Sequence, residues 1–262
     1  MTKTGHEPYK DPYAYGFDRS GKEIWALWNP DPTREAAAQF GGNGLMADTS
    51  GLFASDASNG KVLLSLKADG GNTVLSYNPH DPFAPLNAEV FNGVFQKTAG
   101  YGFKGASMTS AVFRVDAAKG ELEKGTFMCA WPKPSQAAGL RMNFDAADEQ
   151  GNQFIVGGSS NGCPVKDPWF TVGEGEYKGG GFLAAFDKDF KMLQCGYFPD
   201  VNVESVGCRN GLIVVAGSAK EKVREPDPAK PADAPPAIPI YKSLQKSYGG
   251  GEKDGWFAIF KM

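Results

Sequence analysis

The sequence predicts an all-β fold assembled by repeating one sheet unit, and three observations predict it. Thirty-four glycines, eighteen prolines and an aromatic content of 12% favour short strands joined by tight turns, because glycine and proline both break helices. One stretch, Gly179 to Asp187 (GGGFLAAFD), returns as Gly249 to Lys261 (GGGEKDGWFAIFK), and its surroundings return with it. Between such copies, runs alternating large apolar with small residues are bounded by glycine-bearing turns, the period-two pattern of strands.

Taken in order, residues 1–12 are polar and read as an N-terminal arm. Tyr13 to Asp18 is the first copy of the recurring strand; a turn at Arg19 to Gly21 leads into Glu23 to Trp28. Gly44 to Asp48, Leu52 to Asp56 and Val62 to Lys67 follow. Ala68 to Gly71 carries a hairpin signal leading into Thr73 to Tyr77, since glycine supplies the positive φ that primed turns require. Phe83 to Gly105 is the least regular segment, and Ala111 to Asp116 is the next recurring strand.

Two later units then run in parallel. Glu121 to Trp131, Leu140 to Phe144, a turn at Glu149 to Asn152 and Gln153 to Gly158 match Lys191 to Phe198, Val203 to Val206, a turn at Cys208 to Gly211 and Leu212 to Gly217. The proline-dense stretch 224–239 reads as an exposed, extended insertion.

Aligning the residues that close the recurring strand gives Asp18, Lys67, Asp116, Asp187 and Lys261, at intervals of 49, 49, 71 and 74 residues. About four strands per interval is the mark of a propeller blade. The expectation is therefore a β-propeller of four-stranded antiparallel blades occupying 13–262, with units at 19–67, 68–116, 117–187 and 188–261. Four to five blades are recognisable, in a small or incomplete ring. Tyr13 to Asp18 and Gly255 to Lys261 are the ends that meet if that ring closes.

The stretch Gln245 to Lys261 (QKSYGGGEKDGWFAIFK) resembles the glycine-rich lead-in and following strand of the SBBP-type β-propeller repeats of secreted bacterial proteins. Asn210 to Ser218 (NGLIVVAGS) resembles another strand of that repeat. The likeness is good over Ser110 to Met262 and loose over Tyr13 to Gly105. It implies a propeller and a periplasmic or extracellular setting, but no particular activity.

Charge and composition exclude several functions. A net charge of −3 with no basic run lacks the electrostatic footprint of a nucleic-acid binder. No stretch approaches the roughly 20 apolar residues of a membrane helix, and the polar first ten residues carry no secretory signal. Cys129, Cys163, Cys195 and Cys208 form no C-x-x-C pair, so neither a metal nor a haem is expected, and no other cofactor is. They serve as buried thiols or as two disulfides, for which Cys195 with Cys208 is the candidate pair, the two falling on adjacent strands.

The chemistry-bearing residues each have a plainer reading. His6 and His80 sit in proline-flanked polar stretches and read as loop residues. Asp145, Asp148 and Glu149 are raw material for a glycosidase or calcium site, yet they lack calcium-loop order and stand where turns use acids. Asp18, Asp116 and Asp187 recur with the repeat, which argues for side-chain-to-backbone bonds in turns. Loop aromatics are the candidate contacts: Trp131, Trp169, Phe170 and Tyr177, with Tyr241 beside the insertion, weighed against packing between repeats. The expected function is a non-catalytic scaffold or structural subunit of a larger bacterial assembly or cell-surface complex, with protein partners in a multi-subunit assembly or in self-assembly. The alternative is a carbohydrate-binding or carbohydrate-active propeller using those aromatics and acids.

Overall fold

The computed structural model describes residues 12–28, 51–69, 75, 77–97, 108–133, 136–159, 162–169, 179–199, 201–220 and 252–262. Its strands are β1 (Ala14–Phe17), β2 (Glu23–Leu27), β3 (Gly51–Asp56), β4 (Lys61–Asp69), β5 (Tyr77–Asn78), β6 (Asp81–Pro85), β7 (Met108–Asp116) and β8 (Leu122–Lys133). There follow β9 (Gln136–Gly139), β10 (Arg141–Ala147), β11 (Gln153–Ser159), β12 (Gly180–Phe186), β13 (Met192–Pro199), β14 (Val201–Arg209), β15 (Leu212–Lys220) and β16 (Lys253–Lys261). A 3₁₀ helix, Ala88–Phe91, lies between β6 and β7. The all-β class is as expected. The described strands form small antiparallel sheets ordered β1-β2, β3-β4-β7-β8-β9, β5-β6, β10-β11-β12-β13 and β14-β15-β16. They close no barrel or ring, and β1 and β16 stand in separate sheets.

Neighbouring residues on a strand point to opposite faces, and here each face feeds a different core. Leu64, Leu66, Phe113 and Val115 pack with Leu27 and Trp28 in the first core. Leu63 and Val112, one step along the same strands, pack with Met142, Ile155, Phe182 and Phe186 in the second. Phe154, Val156, Leu183 and Ala185 then meet Val201, Val203 and Val206 in the third. The β1-β2 hairpin and the sheets of β3, β10 and β14 thus lie in one row, joined by three apolar layers. Each fully buried leucine, isoleucine or phenylalanine contributes about 1.5–3 kcal/mol to holding the row.

Polar bonds fix how the sheets sit on one another. Trp25 Nε1 donates to the Ala117 carbonyl across the first layer at 2.8 Å. Across the second, an Arg114 guanidinium N–H donates to the Lys188 carbonyl. Asn143 Nδ2 donates to the Val203 carbonyl at 2.7 Å across the third. The turn aspartates act within their own sheets. Asp18 Oδ1 accepts from the backbone of Ser20 and Lys22, Asp116 Oδ1 from Ala118 and Lys119, and Asp187 Oδ1 from Asp189 and Lys191, all between 2.8 and 3.0 Å.

Three expectations need correction. Lys67, expected to close a recurring strand like Asp18 and Asp116, lies within β4 and faces Ser110 of β7. Thus β3 and β4 of the unit drawn at 19–67 and β7 of that at 68–116 share one sheet, while β2 and β5-β6 lie outside it. The strand Val62 to Lys67 also runs on to Asp69 and pairs with β3 and β7, while Tyr77–Asn78 pairs with β6. Leu63, Leu64 and Leu66 are apolar on both faces, and such a strand belongs inside a covered sheet; that requirement overrides a local hairpin signal.

The third correction is a one-residue slip in the repeat. Both β10 and β14 carry a β-bulge, at Met142/Phe144 and at Val203/Ser205. Opposite the bulges stand Gly157 and Gly217, where a Cβ would fall 1.8 Å from the Arg141 carbonyl oxygen and 1.9 Å from that of Asn202. These two glycines are the structural equivalents. Ile155 therefore corresponds to Val215, not Val214, and each face of β15 is exchanged relative to the sequence alignment.

Candidate functional site

The residues singled out from sequence do not converge. Trp131 ends up on β8 and is exposed. Trp169 packs against the third core, its ring 5.8 Å from that of Phe260, with Nε1 buried; packing between sheets claims it. Phe170, Tyr177, Tyr241 and His6 lie outside the described residues, as does the 224–239 insertion. His80 places Nε2 3.0 Å from the Gly120 carbonyl oxygen. Among the described residues, no three His, Cys, Asp or Glu side chains are grouped to hold a metal. Nor is any helix there long and apolar enough to cross a membrane.

The cysteines are placed differently from the expected pair. Cys195 lies on β13 in the second core and Cys208 on β14 beside the third, in different sheets. Consecutive strands here belong to adjacent sheets, so closeness in sequence does not bring these two together. Cys195 Sγ instead lies 3.7 Å from Cys163 Sγ, and none of the four cysteines is joined in a disulfide. The contact with Cys163, with burial, raises the Cys195 thiol well above its usual range. Burial, with Asp148 and Glu149 nearby, pushes Cys208 up to about 12.

The three acids of 145–149 also separate. Asp148 is consumed by its own turn, accepting from the backbone of Gln150 and Asn152 and from Asn152 Nδ2. Glu149 is exposed and accepts from Asn210 N at 3.3 Å. Asp145 is fully buried between sheets, accepting hydrogen bonds from Ser55 Oγ and Ser65 Oγ. Burial pushes its carboxyl up to about 6 against the pull of the two hydroxyls. A carboxyl enclosed in this way holds two sheets in register and has no route to a substrate.

The unusual surface is at the two ends of the row. On the last sheet, Leu212, Val214, Phe257 and Ile259 are exposed, at 48, 41, 58 and 59%. With Gly217 set on Gly157, Val214 and Ala216 correspond to Phe154 and Val156. The pairings of β15 with β16 and of β11 with β12 place Phe257 and Ile259 on Leu183 and Ala185. Those four counterparts are wholly buried under β14. The tail face thus carries the residues that, one sheet earlier, receive a neighbouring sheet, and among the described residues it receives none.

The head of the row has the converse face. The bulges at Gly16/Phe17, Arg114/Val115 and Ala185/Phe186 align Tyr15 with Phe113 and Ala184, and Phe17 with Val115 and Phe186. Those counterparts are buried against the preceding sheet, whereas Tyr15 and Phe17 are exposed, with Ile24 beside them. Their rings stack with centroids 6.3 Å apart.

Sequence reasoning overlooked both faces, though a signal was present. Trp256 to Phe260 is apolar without alternation, the mark of a strand covered on both sides. No protein-family model matches the chain, and no curated protein is significantly similar to it.

Proposed function

We propose that this chain is a non-catalytic scaffold of β-propeller type, related to the SBBP repeats, whose stacked sheets are successive blades. It serves as a protein-binding subunit of a larger bacterial assembly, in the periplasmic or extracellular setting that the repeat resemblance implies. The observation that carries the reading is the tail face. Phe257 and Ile259 stand exposed on a sheet whose register counterparts are sealed, and contiguous apolar patches of this kind mark interaction sites. The dispersal of Asp145, Asp148 and Glu149 favours this reading over the carbohydrate-active one.

The test is native purification of the full chain with its stoichiometric companions, set against a Phe257→Glu/Ile259→Glu variant of equal thermal stability. A defined companion present in whole-number ratio with the wild type and lost with the variant is expected. Equal recovery with both forms, or turnover of a glycan by the purified chain, contradicts the reading.

A further inference from the structure

Resting on that reading and naming its partner, we propose that the tail face of β14-β15-β16 is the seat for the β1-β2 head of a second copy of this chain. The two faces are opposite in sense. Every layer inside the molecule joins a following-side face of one sheet to a preceding-side face of the next. The tail is an uncovered following-side face, and the head is an uncovered preceding-side face. What seats on the tail by this packing rule is a face of the kind formed by Tyr15 and Phe17, and this chain carries that face itself.

Charge agrees with the match. At the turn end of the tail sheet, Arg209 and Lys261 flank Leu212 and are exposed. The positions equivalent to them on the preceding sheet are the turn-capping acids Asp148 and Asp187. The head carries the reverse change. Glu23 pairs with Phe17 and is exposed, where the other sheets place Leu122 opposite Val115 and Met192 opposite Phe186. A carboxylate in an otherwise apolar slot, at the end where the opposing face has gained two cations, gives the contact both register and polarity.

Such a contact is heterologous: each copy uses a different face, so each keeps one face for another copy. This dictates the experiment. A tail-blocked chain (Phe257→Glu/Ile259→Glu) and a head-blocked chain (Tyr15→Glu/Phe17→Glu) are compared with the wild type by sedimentation velocity, with melting curves showing that each variant folds. All four substituted side chains are exposed, so the cores are untouched. The wild type is expected to associate with rising concentration and each variant alone to remain a monomer. Their mixture is expected to form a pair and go no further, since each partner retains one blocked end.

A second test covers the case in which a blocked chain fails to fold. Glu23→Lys is expected to weaken wild-type association at least tenfold, and Arg209→Glu/Lys261→Glu in the same chain to restore it. A monomeric wild type, association of either blocked variant alone, or a mixture that stays monomeric beside an associating wild type overturns the proposal. In the first of these outcomes the scaffold reading stands or falls separately, by whether a different protein is held at Phe257 and Ile259 in the native purification.

Discussion

Asp145 is the residue whose placement has the clearest measurable consequence. Burial lifts its carboxyl to about 6 in the fold, from an ordinary 3.8. Below the unfolded value both states hold the proton and nothing is lost. Between about pH 4 and 6 the folded state keeps a proton that the unfolded state releases, so this residue's contribution falls as pH rises and is fully unfavourable above 6. The gap corresponds to about 3 kcal/mol. Asp145→Asn removes the titration and leaves an amide that can still bond Ser55 and Ser65. The stability difference between variant and wild type, from urea unfolding, should be near zero at pH 4 and favour the variant by about 2–3 kcal/mol at pH 7.5. A difference independent of pH contradicts the buried carboxylate. The cysteines make a second prediction at this scale. Diamide, accepting two electrons and two protons from a thiol pair, should bridge Cys163 to Cys195, with peptide mapping finding Cys208 unbridged. A Cys195–Cys208 bridge contradicts the sheet assignment.

At the scale of the element, Gly157 and Gly217 decide where β11 and β15 lie against their bulged partners. Gly217→Ala drives a Cβ into the Asn202 carbonyl and should destabilise the fold by about 2 kcal/mol or more. Gly207→Ala, on β14 with open space beside it, should cost well under half as much on the same unfolding curve. The bulge also explains what the sequence did and did not reveal. The recurring strands at Tyr13, Ala111, Gly179 and Gly255 were legible because each ends in an apolar run and most in a turn-capping aspartate, both local features. Lys67 was misaligned because a central strand and a third strand have the same composition when both faces are covered. The slip between Gln153 to Gly158 and Leu212 to Gly217 arises because β11 carries two adjacent glycines, Gly157 and Gly158, and the sequence does not say which of them stands opposite the bulge. Trp169 reads as a loop contact because sequence does not say which loop folds back on a core.

On the scale of the whole molecule, the proposed function rests on how the row ends. Interior sheets bury both faces, so their side chains are spoken for by packing. The terminal sheets have the same kind of side chains with one face uncovered. That is why no compact constellation of acids, histidines or thiols assembles in the described residues, while two apolar faces of opposite sense remain. The exposed residues at the two ends are hard to pick out in the sequence, because Phe257 and Ile259 are of the same kind as their buried counterparts Leu183 and Ala185.

The measurement that tests this most directly is hydroxyl-radical footprinting of the chain in its assembled and monomeric states, read at single side chains. Oxidation of Leu212, Phe257 and Ile259 is expected to drop sharply on assembly while Trp131, exposed on β8, reacts equally in both. Undiminished oxidation of Phe257 and Ile259, with protection moved to Trp131, would contradict it.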